Sequence, residues 1–233
     1  MSIAGALEIV RARIEAACRG AGREPGEVRL LPITKTVAAQ RLRDAYAAGC
    51  RRFGENRVQE LAAKAGELAD LPELSWAVVG HLQTNKAKVV AGLASESQAL
   101  DSLGLARELD KRLQAAGRQL DVLVEVNSSG EDSKFGLPPQ EAPDFVRHLA
   151  AFDTLRVKGL MTLALPSPDP VMVGACFDRM RQVQRRLRDD GCPGSFDELS
   201  MGMSDDFELA IAHGATCVRI GRAIFGERPA PRP

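Results

Sequence analysis

Eight times along this 233-residue chain a dense apolar run is followed by an amphipathic segment of helical period, and few folds accept that order. A strand followed by a helix brings the chain back to the same end of a sheet, so the repeat demands parallel strands with helices outside them. Length then limits how the repeat closes. Eight such units in roughly 200–250 residues make one α/β domain, a single (β/α)8 TIM barrel, here expected to take in all of residues 1–233.

Ahead of the first unit, Ile3, Leu7, Val10, Ile14 and Ala17 recur at helical spacing and predict an extra N-terminal helix over 3–19, ended by Gly20 or Gly22. Strands are expected at 28–33, 52–55, 76–80, 93–97, 120–126, 157–163, 198–201 and 217–220, the fourth having the weakest pattern. Helices are expected at 38–48, 57–69, 84–91, 103–115, 139–150, 171–188 and 205–213, with a helical turn at 223–225. An open doubly wound sheet is the alternative, but neither GxGxxG nor GxxxxGK[ST] follows the first strand. The proline-rich stretch Glu227–Pro233 is expected to fray.

Composition removes several function classes. The 31 basic and 31 acidic side chains balance, without the basic excess of a nucleic-acid or membrane-surface protein. No apolar run reaches the ~18 residues of a membrane span, and no basic region precedes an apolar core at Met1–Glu8, so no secretory signal is expected. Five cysteines without a CxxC pair argue against a disulfide framework or a zinc site, and predict thiols in a reducing cytoplasm.

In a barrel the C-terminal ends of the strands and the loops after them carry the chemistry. Those ends bring together Lys35, Glu55-Asn56-Arg57, His81, Asn127, Met161-Thr162, Met201–Asp206 and Arg219–Arg222. Lys35 stands out, because the chain has seven lysines against twenty-four arginines and this one ends an apolar strand. A lysine near apolar walls loses solvation of its charged form and becomes a nucleophilic amine, as condensation with an aldehyde requires. A lysine reaching from a strand end to solvent fits the position equally. The last two loops, with Ser204 read as a helix N-cap and Gly221 allowing close backbone approach, have the form of an anion cradle. With Lys35 they point to a phosphorylated aldehyde. Alternation leaves open whether Arg219 faces into the barrel or outward. His81 fits a general base or a hydrogen-bonded structural group.

Seven segments in order carry a family resemblance: Ile33–Thr36, Phe53–Asn56, Gly80–Lys86, Val126-Asn127 with Gly130–Gly136, Lys158–Met161, Leu199–Asp206, and Val218–Gly221 with Ala223–Gly226. Together they resemble the pyridoxal phosphate homeostasis protein family, single-domain relatives of the alanine racemase N-terminal barrel. The resemblance implies that Lys35 carries pyridoxal 5′-phosphate (PLP) as an internal aldimine and that Asn56 lies at the cofactor. It also implies that Ser200, Ser204, Gly221 and Arg222 surround the phosphate and that Arg219 faces the pyridine nitrogen. An arginine there leaves the ring nitrogen unprotonated and weakens the ring as an electron sink. Position 222 is more often threonine in that family, so Arg222 replaces a hydroxyl donor; Ala77–Val79 and Arg57 also depart from its pattern.

A racemase needs two acid/base groups, one for each face of the α-carbon. Lys35 can be one. In the related racemases a tyrosine from a second domain is the other, whereas the only tyrosine here, Tyr46, falls in the helix after the first strand. The expected protein therefore binds PLP and serves intracellular PLP (vitamin B6) homeostasis without robust catalytic turnover, with no catalytic residue assigned. Apo PLP enzymes are its expected acceptors, it is expected to be a monomer, and the 128–136 loop is a candidate lid. The alternatives are a PLP-dependent racemase or lyase with a substitute second base, a lysine-dependent aldolase without PLP, and an interaction module.

Overall fold

A computed structural model describes residues 1–131 and 133–227. Asp132 and the tail beyond Glu227, both part of the sequence expectations, lie outside the described residues. Eight strands, β1 (Arg29–Pro32), β2 (Arg52–Glu55), β3 (Ser75–Val78), β4 (Glu96–Leu100), β5 (Leu120–Glu125), β6 (Leu155–Met161), β7 (Glu198–Ser200) and β8 (Cys217–Ile220), pair in parallel in the order β1-β8-β7-β6-β5-β4-β3-β2. The ring returns to its start where Ile33 bridges Gly54 and the Thr34 N–H donates to the Gly54 carbonyl at 3.0 Å. Gly54 permits this approach, since a Cβ there would lie 2.5 Å from Ile33 Cδ1. The expected barrel is the observed architecture.

Helices α2 (Ala39–Ala47), α3 (Val58–Glu67), α4 (Ala87–Leu93), α5 (Leu103–Ala116), α6 (Ala142–Leu149), α7 (Pro170–Asp189), α8 (Phe207–Ala212) and α9 (Arg222–Phe225) follow the strands. The expected extra helix is α1 (Ile3–Gly20), capped by Ser2 Oγ, which accepts from the Gly5 N–H at 3.1 Å. Its apolar face, Leu7, Val10, Ile14 and Cys18, is buried where α1 packs between α8 and α2. The main core lies between strands and helices, with Phe53, Phe177, Phe196 and Phe207 fully buried. Each such side chain contributes about 1.5–3 kcal/mol of burial. All five cysteines are buried and free.

Two boundaries correct the sequence reading. The fourth strand is Glu96–Leu100 rather than 93–97, and all five of its residues are buried. Glu96, Ser97 and Gln98 look like loop because polar groups belong outside an ordinary core, but this barrel's interior is partly polar. The helix after β7 begins at Phe207, not 205, so Asp206 and not Ser204 occupies its N-cap position. Asp206 Oδ1 accepts from the Met203 N–H at 2.6 Å and closes a turn through Ser204, which delays the helix.

Candidate cofactor site

Lys35 directly follows β1 at the barrel mouth and is half-buried. Its two flanking residues are fixed from behind. The fully buried Thr34 donates its hydroxyl to Glu55 Oε1 at 2.5 Å, and its carbonyl accepts from Lys64 Nζ at 2.7 Å. Lys64 Nζ also meets Glu55 Oε1 at 2.6 Å and Glu60 Oε2 at 3.3 Å. Glu60 Oε2 in turn accepts from the Thr36 N–H at 2.7 Å and supports Thr36 at φ +65°, a backbone region a threonine rarely adopts. Burial pushes the Glu55 carboxyl up, and its bonds to Lys64 and Thr34 oppose the shift.

Beside this turn, Asn56 follows β2 and is exposed, with its main-chain and side-chain oxygens pressed against Gly80 at the end of β3. Any Cβ at Gly80 would overlap both oxygens. Gly221 closes the other side, where a Cβ would lie 2.9 Å from the Ile33 carbonyl oxygen. Backbone therefore approaches the lysine-bearing strand end on both flanks.

Arg219 faces into the barrel, which resolves the direction that strand alternation leaves open. It is 4% exposed; Nη1 donates to Ser200 Oγ and Nη2 to the Thr162 carbonyl, each at 2.7 Å. Burial pulls its pKa down, while Cys217, Asp206 and Glu125 act in the opposite direction. Two of its five N–H donors are used in these bonds, leaving three for other acceptors. Ser200 lies beneath the guanidinium and also donates to Gln98 Oε1 at 2.7 Å, so the structure engages its hydroxyl with Arg219 and Gln98. Ser204 lies in the turn before α8, half-buried. Arg222 is exposed and pairs with Asp205, with Glu227 3.7 Å away, tying the loop after β7 to the start of α9.

Three residues of the site have no counterpart in the sequence reading: Lys64, Gln98 and Glu125. Glu125, the last residue of β5, is 5% exposed and its Oε2 has no hydrogen-bond partner among the described residues. Burial, with Asp101 adding and Arg219 opposing, pushes its pKa up to about 7. A raised carboxyl pKa means the folded chain holds a proton that the unfolded chain releases between pH ~4.5 and ~7. Stability therefore falls as pH rises through that window, by on the order of 3 kcal/mol in all. Glu125→Gln should stabilise the ligand-free protein at pH 8 and change it little at pH 4; denaturant midpoints showing the same shift at both pH values would refute the assignment.

The segment after β5 arches over this mouth. Asn127 Nδ2 donates to the Glu131 carbonyl at 2.8 Å, and Asn127 Oδ1 accepts from the Gly130 N–H at 3.0 Å. Lys134 Nζ donates to the Ala164 carbonyl at 2.9 Å, and Phe135 stacks on His81 with ring centres 3.9 Å apart. His81 Nδ1 lies 3.2 Å from Asp101 Oδ2, so the histidine is held between an acid and an aromatic ring.

Comparison with known proteins adds the lineage. The family model for the alanine racemase N-terminal domain matches residues 7–229. A pyridoxal phosphate homeostasis protein of Pseudomonas aeruginosa is 41% identical over 227 residues, 97% of this chain and 96% of that protein. This chain belongs to the pyridoxal phosphate homeostasis protein family. Among solved structures, PipY of Synechococcus elongatus with PLP bound superposes at a TM-score of 0.86 with 34% identity, covering 97% of this chain and all of PipY. The alanine racemase of Streptomyces coelicolor, 18% identical, matches at a TM-score of 0.73 over 98% of this chain and 60% of the racemase, and shows the shared barrel. Among the described residues no helix is long and apolar enough to cross a membrane.

Proposed function

We propose that this chain binds PLP covalently through Lys35 and holds it for intracellular vitamin B6 homeostasis, handing it to apo PLP enzymes without robust turnover of its own. The residues fit the group. Gly221 brings backbone against the strand end where no Cβ would fit, and Glu125 Oε2 is a buried polar atom without a hydrogen-bond partner among the described residues. When bound, PLP supplies an aldehyde that condenses with a primary amine and a ring that withdraws electrons. Ser204 and Gly221 lie on the two loops that would take the phosphate, Arg222 ties those loops together through Asp205, and Asn56 would border the ring.

The observation that carries the reading is Arg219, a buried guanidinium inside the barrel held by Ser200 and the Thr162 carbonyl. Against a bound ring nitrogen it would donate and not give up its proton, which suits holding the cofactor better than stabilising a carbanion. The sole tyrosine supports the same conclusion. Tyr46 lies in α2 with its hydroxyl donating to the Pro72 carbonyl at 2.8 Å. The second reading, a racemase or lyase with a substitute base, draws on Glu125, whose pKa near 7 suits proton transfer.

Protein loaded with PLP and freed of excess decides between them. Mixed with an apo PLP enzyme, it should restore that enzyme's activity, while incubation with a panel of L-amino acids should leave their configuration and amount unchanged. Sustained racemisation or elimination would establish the second reading. Failure to load PLP would end both.

A further inference from the structure

A continuous polar chain runs through the barrel beneath the site. Arg29 Nη2 and Arg52 Nη1 donate to the two oxygens of Glu96 at 2.8 and 2.7 Å, and Glu198 braces Arg29 at 2.5 Å. Glu96 Oε1 also accepts from Gln98 Nε2 at 2.5 Å, Gln98 Oε1 accepts from Ser200 Oγ at 2.7 Å, and Ser200 Oγ accepts from Arg219 Nη1 at 2.7 Å. Gln98 and Ser200 are fully buried and Glu96 nearly so.

Only one polarity satisfies this chain. Glu96, receiving two guanidinium groups, is an acceptor, so the Gln98 NH2 must face it. The Gln98 carbonyl must then face Ser200, whose single hydroxyl proton is drawn downward, and the serine lone pair is left for Arg219. An arginine can only donate, so rotating the Gln98 amide would set two acceptors against each other at Glu96 and bring a second donor to Ser200, whose own proton would lose its acceptor. In a buried, low-dielectric interior such a mismatch is costly.

We propose that Gln98 is a positioning residue: its amide, oriented by Glu96, makes Ser200 an obligate acceptor and so fixes the Arg219 guanidinium against the ring of the bound cofactor. This rests on the PLP reading above. The groups facing position 98 are Glu96, Ser200 and Cys217, whose Sγ lies 3.8 Å away, with Arg29 and Arg52 behind Glu96 and Arg219 beyond Ser200.

Two substitutions test the proposal in the full-length chain. Gln98→Leu removes both hydrogen bonds. Gln98→Glu is isosteric and reproduces both bonds while protonated; once ionised it still accepts from Ser200 but loses its donation to Glu96 and sets two carboxylates face to face. Loaded with PLP, Gln98→Leu should shift the visible absorbance maximum and weaken PLP binding about tenfold. Gln98→Glu should resemble wild type at low pH and depart from it at high pH, through a transition that wild type lacks. A general packing defect would not track the protonation of one side chain. In the ligand-free protein, Gln98→Leu and Arg219→Met should shift the denaturation midpoint non-additively, because they interrupt one chain. Gln98→Glu following wild type at every pH, wild-type spectrum and affinity in Gln98→Leu, or strict additivity in the ligand-free protein would each overturn the proposal. A wild-type protein that takes up no PLP would instead refute the function; the ligand-free additivity measurement would then decide the role of Gln98.

Discussion

Lys35→Ala is expected to leave a folded protein that no longer turns yellow with PLP and binds it at least ~100-fold more weakly, a loss of about 3 kcal/mol. Lys35 lies in the turn after β1, half-buried at the barrel mouth, and is not part of the apolar core. Its removal therefore takes away the proposed attachment point and little of the apolar packing. The loops after β7 and β8, proposed to take the phosphate, remain and should retain some affinity for it. The ligand-free variant should still unfold in one cooperative transition, and adding PLP should raise the midpoint of the wild type far more than that of the variant. A yellow Lys35→Ala protein would place the attachment on another lysine. Lys134, already engaged with the Ala164 carbonyl in the loop over the mouth, would be the first to examine.

Lys64→Met is the substitution with the largest expected effect on stability. Its side chain is 9% exposed and that of Glu55 is 0% exposed, so the variant leaves a carboxylate in the interior without its cation. Breaking a buried pair in this way costs about 3–5 kcal/mol. For a chain of this size that lowers the unfolding midpoint by roughly 10 °C. Burial already pushes the Glu55 carboxyl up, and loss of Lys64 pushes it further, so the variant should be less impaired at pH 5 than at pH 8. Glu55→Gln in the same chain should recover part of the loss. The Thr34 carbonyl also loses its donor in this variant, so the lysine-bearing turn loosens and PLP affinity falls with stability. A midpoint within one or two degrees of wild type at pH 8, from calorimetry, would show that the cluster is not held as described.

How much of this was legible in the chain depended on whether a residue's neighbours in sequence are its neighbours in space. The last strand, Cys217–Ile220, was found residue for residue because its apolar run is bounded by Gly214 and Gly221. Lys35 is legible as a candidate because a strand end in a barrel is a site by geometry. The fourth strand was misplaced because Glu96 and Gln98 are stabilised by Arg29, Arg52 and Ser200, which are distant in the sequence. Ser204 was misassigned because Asp206, two residues later, wins the competition to close the turn. Lys64 resembled an ordinary solvated lysine four residues after Glu60, and only the β1–β2 closure shows that it faces the Thr34 carbonyl. Glu125 carries one available signal, an acid directly after the apolar run Val122–Val124 at a strand end, but burial and partner count are properties of the closed barrel.

Ile33 meets Gly54 on one side and Gly221 on the other, and Asn56 meets Gly80, so the wall around the lysine is built largely from main chain. A wall of that kind has almost no room for variation: none of the three glycines can gain a single carbon without moving Ile33 or Asn56. New ligand preferences would have to arise at the outer lip, through residues such as Arg222, Asp205 and Phe135, whose side chains reach solvent. The site is thus divided into an inner half that resists redesign and an outer half open to it, and a library confined to the lip would explore most of the diversity this pocket can tolerate.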